Sequence, residues 1–281
     1  MNAWALQLWK ELYKLFARKR TYLGFGAVVG AECVILWVMS RPQSVAQFQQ
    51  LVAQHGLSFG RYYSGLTLGL EMVIWTSLIL GALFLALVSA DVMSKEVEDG
   101  TLRMLLCRPV SRTRIVAIKY TTCVIYTFAL IAFLGATALG GGMLCRGAGG
   151  LLVSSPTEEL FAVHEARAGL ARYCVAMSFL ALSLTTISSL GFMFSCLKMK
   201  PVAATISTLS IVFVDSTFRR VPFFGSLFPF FLSTHLAAWQ QLFAVTIPWA
   251  RLCQDYGYLL SLDAVCFLFA LLVFRRRDFK P

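Results

Sequence analysis

The chain has 281 residues, of which 58% are hydrophobic and only 14% charged, with a formal net charge of +11. Soluble globular domains carry about 25% charged residues, and the apolar residues here gather in runs of about 20, enough to cross roughly 30 Å of hydrocarbon as helix. The basic residues stand at the ends of those runs, which sets membrane orientation and argues against nucleic acid as a partner.

Residues 3–18 predict an amphipathic helix. Ala5, Leu8, Trp9, Leu12, Leu15 and Phe16 follow helical spacing on one face, and Gln7, Lys10, Glu11, Lys14 and Arg18 fill the other. A basic polar face of this kind suits a helix lying in the membrane interface. The charged, amphipathic start is not that of a signal peptide.

Six apolar spans follow, at about 21–40, 66–90, 120–144, 173–196, 201–218 and 258–274. The expected fold is therefore an all-α polytopic membrane protein: an interfacial helix over 1–20, then a single six-span domain over 21–281. With the N-terminus inside, the inner segments hold 17 of the 25 Lys and Arg residues, including all eight lysines, and the outer segments hold eight arginines. That asymmetry places both termini in the cytoplasm.

Glu32 falls within the first span. An ionised carboxylate there costs on the order of 2.5–3.5 kcal/mol unless paired or protonated. It is either a pathway residue or a carboxyl hydrogen-bonded to a neighbouring helix. Glu71, Asp215 and Asp263 are expected near the outer ends of their spans, within reach of water.

The segment Asp91–Lys119 leaves the second span, turns at Gly100, carries Leu102, Leu105 and Leu106, and stops before Pro109. Ser111 is placed to cap the helix that re-enters the bilayer. Acidic Glu96, Glu98 and Asp99 meet basic Arg103, Arg108, Arg112 and Arg114 in this stretch. Spacing alone leaves two readings open, a docking element for a soluble partner and a solvated loop that enforces topology.

On the outer side, Ser155-Pro156-Thr157-Glu158 reads as a capping box that starts a short surface helix. Residues 219–257 combine Pro222, Pro229 and Pro248 with many aromatic residues. They suit short helices half-sunk in the outer leaflet, a shielded re-entrant element, or an aromatic interface belt. Ser233 or Thr234 is the expected cap of a helix running to about Phe243.

The eight cysteines form no CxxC pair and mostly lie in apolar runs, as small hydrophobes do. Cys145 and Cys174 bracket the outer loop and allow a disulfide if that face is oxidising. His55, His164 and His235 share the outer side without metal-ligand spacing, so no metal is assigned.

Glu96, Glu98, Gly100-Thr101-Leu102, Leu105-Leu106, Pro109-Val110-Ser111-Arg112 and Lys119 fit the pattern E-x-E-x-G-T-L-x-x-L-L-x-x-P-V-S-R-x(6)-K. In this the chain resembles the ABC type-2 exporter permeases. The closing Phe274-Arg275-Arg276-Arg277-Asp278 is similar to the F-x-R-R-D of many members. The resemblance implies that Glu96, Glu98, Gly100 and Thr101 relay closure of the ATPase. It sets Leu102, Leu105, Leu106 and Arg108 in or beside the ATPase groove, with Arg112 in the same element and 197–201 as a smaller contact. It also implies two copies of a cytoplasmic ABC ATPase, a second permease copy or paralogue, surrounding membrane lipid, and residence in the plasma membrane, in particular the bacterial cytoplasmic membrane.

No GxxxxGK[ST] loop is present, and Gly140-Gly141-Gly142 lacks the lysine. The chain is therefore expected not to be an enzyme and to bind no cofactor itself, with ATP-Mg held by the partner. Within the same architecture the alternative is mechanotransmission, in which ATP work moves an outer protein without a transported solute. A secondary transporter or channel would call for inverted repeats and several mid-span charges, and a membrane enzyme for a catalytic motif such as H-E-x-x-H or G-x-S-x-G.

Overall fold

A computed structural model describes residues 3–56, 58–100, 111–155, 160–197 and 199–276. Helix α1 (Ala3–Phe16) precedes α2 (Lys19–Met39), α3 (Pro42–Gln54) and the single turn α4 (Phe59–Tyr62). Helices α5 (Gly65–Thr76) and α6 (Ala82–Glu98) join through a π-helical turn, Ser77–Gly81, into one 34-residue span. Then come α7 (Arg112–Arg146), the strands β1 (Leu151–Ser155) and β2 (Leu160–His164), α8 (Ala166–Cys196) and α9 (Pro201–Phe218). A 3₁₀ turn (Pro222–Phe230), the short α10 (Leu232–Leu236) and a second 3₁₀ turn (Ala238–Phe243) lead into α11 (Trp249–Arg276).

Among the described residues six helices are long and apolar enough to cross a membrane: Thr21–Met39, Gly65–Glu98, α7, α8, α9 and α11. The protein is an all-α polytopic membrane protein. Four spans run well past the apolar stretches expected from sequence, since α6 continues to Glu98 and α7, α8 and α11 begin at Arg112, Ala166 and Trp249. Asp263 consequently sits near the middle of α11 and is buried, not near a watered end.

Helix α8 is the axis of the bundle, packed by α6, α7, α9 and α11. Its buried positions include Ala176, Ala181, Ser183, Thr185, Thr186, Ser188, Ser189, Gly191 and Ser195. Small side chains let helix backbones approach where lipid gives no hydrophobic drive for association. The same device joins α5 to α7: a Cβ on Gly65 would stand 2.6 Å from the Met143 Cα, and one on Gly142 would meet the Gly65 carbonyl oxygen. Helices α2 and α9 flank the bundle and present most of their apolar surface outward.

The helix expected from the capping box at 155–158 does not extend through residues 160–164. Residues 160–164 are a strand paired antiparallel with β1, Leu151 opposite His164 and Ser155 opposite Leu160, while 156–159 lie outside the described residues. The hairpin is held by contacts distant in sequence. Ser64 Oγ donates to the Gly150 carbonyl at 2.6 Å, and the Leu152 N–H donates to Thr67 Oγ1 at 3.0 Å. Tertiary pairing of this kind decides a strand that no local pattern announces.

The aromatic outer segment divides in two. Ala238, Trp239, Leu242 and Phe243 are buried in the bundle, whereas Phe223, Leu227 and Phe230 are exposed. Neither Ser233 nor Thr234 caps α10. The Asp215 carboxylate does, accepting from the Leu232 and Ser233 N–H groups at 2.9 and 2.6 Å, and the helix breaks after Leu236.

Candidate coupling site

Helix α6 reaches its last turn with Glu96 facing inward and Glu98 and Asp99 exposed. The chain then turns at Gly100, whose φ of +69° lies in the left-handed region that a side chain disfavours. On the far side of 101–110, Ser111 caps α7, its Oγ accepting from the Arg114 N–H at 3.4 Å. Two turns into α7 stands Lys119, one of the largest fully buried side chains.

Lys119 and Glu96 meet, with Nζ 2.8 Å from the Glu96 carboxylate. Helix α1 completes the cluster, because Glu11 and Lys14, three residues apart, share one helical face. Lys119 Nζ lies 3.0 Å from Glu11 Oε2, and Lys14 Nζ pairs with Glu96 Oε1. Lys119 also donates to the Val92 carbonyl at 3.5 Å. Two carboxylates and two ammonium groups thus close a formally neutral network over α1, α6 and α7. Removing one partner from a buried pair strands its counter-charge and typically costs about 3–5 kcal/mol.

Other ties gather the same end of the bundle. Arg112 donates to the Arg275 carbonyl at 3.0 Å, linking the start of α7 to the end of α11. Ser94 Oγ donates to the Ser195 carbonyl at 3.1 Å, joining α6 to the end of α8. Any force on the 99–111 connection therefore meets four spanning helices and α1 within a turn or two.

The residues expected at a coupling element separate by exposure. Glu98, Gly100 and Arg112 are exposed, and Glu96 is buried against the chain's own lysines. Thr101, Leu102, Leu105, Leu106 and Arg108 lie outside the described residues. Glu32 stands apart from this site, buried against Thr137 of α7. Its Oε1 has no protein partner among the described residues.

Glu11, Lys14 and Lys119 were not expected as partners of Glu96. Lys119 belongs to the signature, but the face of α1 that reaches it reads in sequence as a solvated polar face. Exposed on α1 are Trp4, Leu6, Trp9 and Tyr13 together with Lys10 and Lys14. Asp263, expected near a watered end, is buried with its carboxyl facing Thr186 and Ser189 of α8.

Among the described residues no three His, Cys, Asp or Glu side chains converge on a metal position. Cys145 and Cys174 are both free thiols. His164 Nε2 is 2.7 Å from the Phe243 carbonyl, and His235 pairs with Asp255 at 2.8 Å, so both histidines fasten the outer segment.

The family model described as "ABC-2 family transporter protein" matches residues 7–215, from α1 through most of α9. The chain belongs to the ABC-2 transporter family. It is thus a multi-pass membrane protein of a transporter family. The chain is also similar to the "Uncharacterized protein YhcI" of Bacillus subtilis (strain 168), 36% identical over 74 residues. That match spans 26% of this chain and 23% of the relative.

Proposed function

We propose that this chain is the permease subunit of an ABC exporter, in which a separate cytoplasmic ATPase drives movement of a substrate across the bacterial cytoplasmic membrane. The observation that carries this reading is the junction of α6 and α7, where the buried Glu96–Lys119 pair, tied to Glu11 and Lys14 of α1, braces the two ends of the 99–111 connection against α1 and the bundle. A connection that only enforced topology would need no such bracing.

The end with the connection faces the cytoplasm, as the lysines require. Glu98, Gly100, Thr101 and Arg112 meet the ATPase, Leu102, Leu105, Leu106 and Arg108 pack in or beside its groove, and ATP-Mg stays on that partner. Glu96 acts from within, holding α6, α7 and α1 as one body that transmits the displacement. Two permease copies, or this chain and a paralogue, pair with two ATPases and enclose the path. Glu32, on the flanking helix α2 and with an unpartnered oxygen, is the pathway candidate.

Co-expression with an ABC ATPase of the same genome and purification in neutral detergent test the reading. The two proteins are expected to co-purify, the chain alone to hydrolyse no ATP, and Leu105→Asp, which sets a charge in an apolar contact, to weaken assembly. ATP turnover by the isolated chain, or no assembly with any such ATPase, would contradict it.

A further inference from the structure

At the opposite end of the bundle every Lys or Arg residue is an arginine, and the segments that carry three of them are tied together around Tyr63. Arg41 follows α2, Arg61 lies in α4 and Arg146 closes α7. Tyr63 brings them together. Its ring lies under Arg146, 4.6 Å from Cζ, and its hydroxyl donates to the Met39 carbonyl at 2.6 Å, two residues before Arg41. The Arg61 carbonyl accepts from the Gly150 N–H at 2.9 Å, and the Gly147 carbonyl accepts from Gly65 at 3.0 Å, which fixes α4 against the end of α7.

Each guanidinium lies over a ring. Arg41 Cζ stands 3.7 Å from the Trp37 centroid and Arg61 Cζ 5.7 Å from that of Tyr62. Stacking holds a guanidinium by its face and leaves its N–H edge free for a bidentate anion, a geometry that lysine cannot supply. Glu165 is the carboxylate that meets this group among the described residues, 3.4 Å from Arg61, with both side chains well exposed. A solvated pair of that kind is worth little, and it leaves Arg41 and Arg146 without a described carboxylate.

Apolar surface adjoins the arginines. Trp37 and Val38 lie on the turn of α2 that precedes Arg41, and Trp37 is 59% exposed. A soluble anion would have no use for that surface, whereas a headgroup with an acyl chain matches both halves.

We propose that Arg41, Arg61 and Arg146 form a binding site for the phosphate of an anionic phospholipid in the leaflet at that end, with Trp37 against its acyl chains. The proposal concerns lipid alone and stands independently of the exporter reading.

Native mass spectrometry of the full chain in neutral detergent, titrated with phosphatidylglycerol or phosphatidylcholine, tests it. The parent is expected to retain phosphatidylglycerol preferentially. Replacing all three by Gln should weaken that binding by roughly fivefold for each guanidinium removed and leave phosphatidylcholine unchanged. The Arg41→Lys/Arg61→Lys/Arg146→Lys variant, which keeps the charge and loses the stacked fork, should fall between the two and serves if the Gln variant does not fold. Arg220→Gln/Arg251→Gln, which alters other exposed arginines, should retain parental binding. Equal retention of both lipids by the parent, an equal loss in the Arg220/Arg251 control, parental binding by the Gln variant, or displacement of the lipid by inorganic phosphate at matched ionic strength would each overturn the proposal.

Discussion

Lys119 and Glu96 face each other at 2.8 Å with only 1% and 2% of their surfaces exposed, in helices joined by the segment that carries the family signature. Neither charge has water to solvate it, so each depends on the other and on Glu11 and Lys14. The pair fixes the spacing of α6 and α7 where they leave the bundle, and α1 is bound to both through the same charges.

Breaking this network from one side should be more damaging than dismantling the pair. Lys119→Met is expected to cost about 3–5 kcal/mol, because the Glu96 and Glu11 carboxylates lose their buried counter-charge. Lys119→Met/Glu96→Gln leaves Glu11 and Lys14 in balance and should cost less than the sum of the singles by about 1–3 kcal/mol. Chemical-denaturant unfolding in detergent, run as a double-mutant cycle, measures the difference; additive losses would show that the two residues do not act together.

Helix α1 should be fastened by the same charges. Glu11→Gln/Lys14→Met is expected to raise proteolytic cleavage between α1 and α2 severalfold, since local opening becomes more populated as holding interactions are lost. A cleavage rate equal to the parent's would mean that apolar contacts of Leu15 and Phe16 suffice to hold α1.

The crossing of α5 on α7 sets a steric test. Gly65→Ala places a methyl 2.6 Å from the Met143 Cα, so the helices must separate, and overpacking of this kind typically costs about 1–3 kcal/mol. Gly141→Ala meets nothing within 4 Å and should leave the midpoint unchanged. Thermal unfolding of both variants, side by side, distinguishes a required close approach from a general intolerance of the glycine run.

Much of this fold could be read from apolar periodicity: the six spans, the turn at Gly100 and the Ser111 cap all follow from local sequence. What escaped was non-local. The second span looked finished near residue 90 because Asp91, Lys95 and Glu96 follow, yet α6 continues, and Glu96 is neutralised by Lys14, 82 residues away, and by Lys119. The hairpin had no local announcement, because it is held by Ser64 and Thr67 of another element, which no local window contains. Asp215 as the cap of α10 is of the same kind, a side chain reaching across 17 residues. At the coupling site the signature residues were legible, but which of them face outward depended on the arrival of α1.

That division between outward and inward carboxylates makes the central claim directly measurable. Glu98 and Asp99 are exposed beside Gly100, and charge-assisted hydrogen bonds from such groups to a docked partner are worth about 1.5–3 kcal/mol each. ATP turnover should be measured for the partner ATPase reconstituted in proteoliposomes with the parent chain and with Glu98→Gln/Asp99→Asn. The account expects the variant to insert, to unfold at the parental midpoint and to lose stimulation of turnover by about tenfold or more. Stimulation equal to the parent's, with the variant assembled normally, would contradict it and leave the 99–111 connection a topological loop.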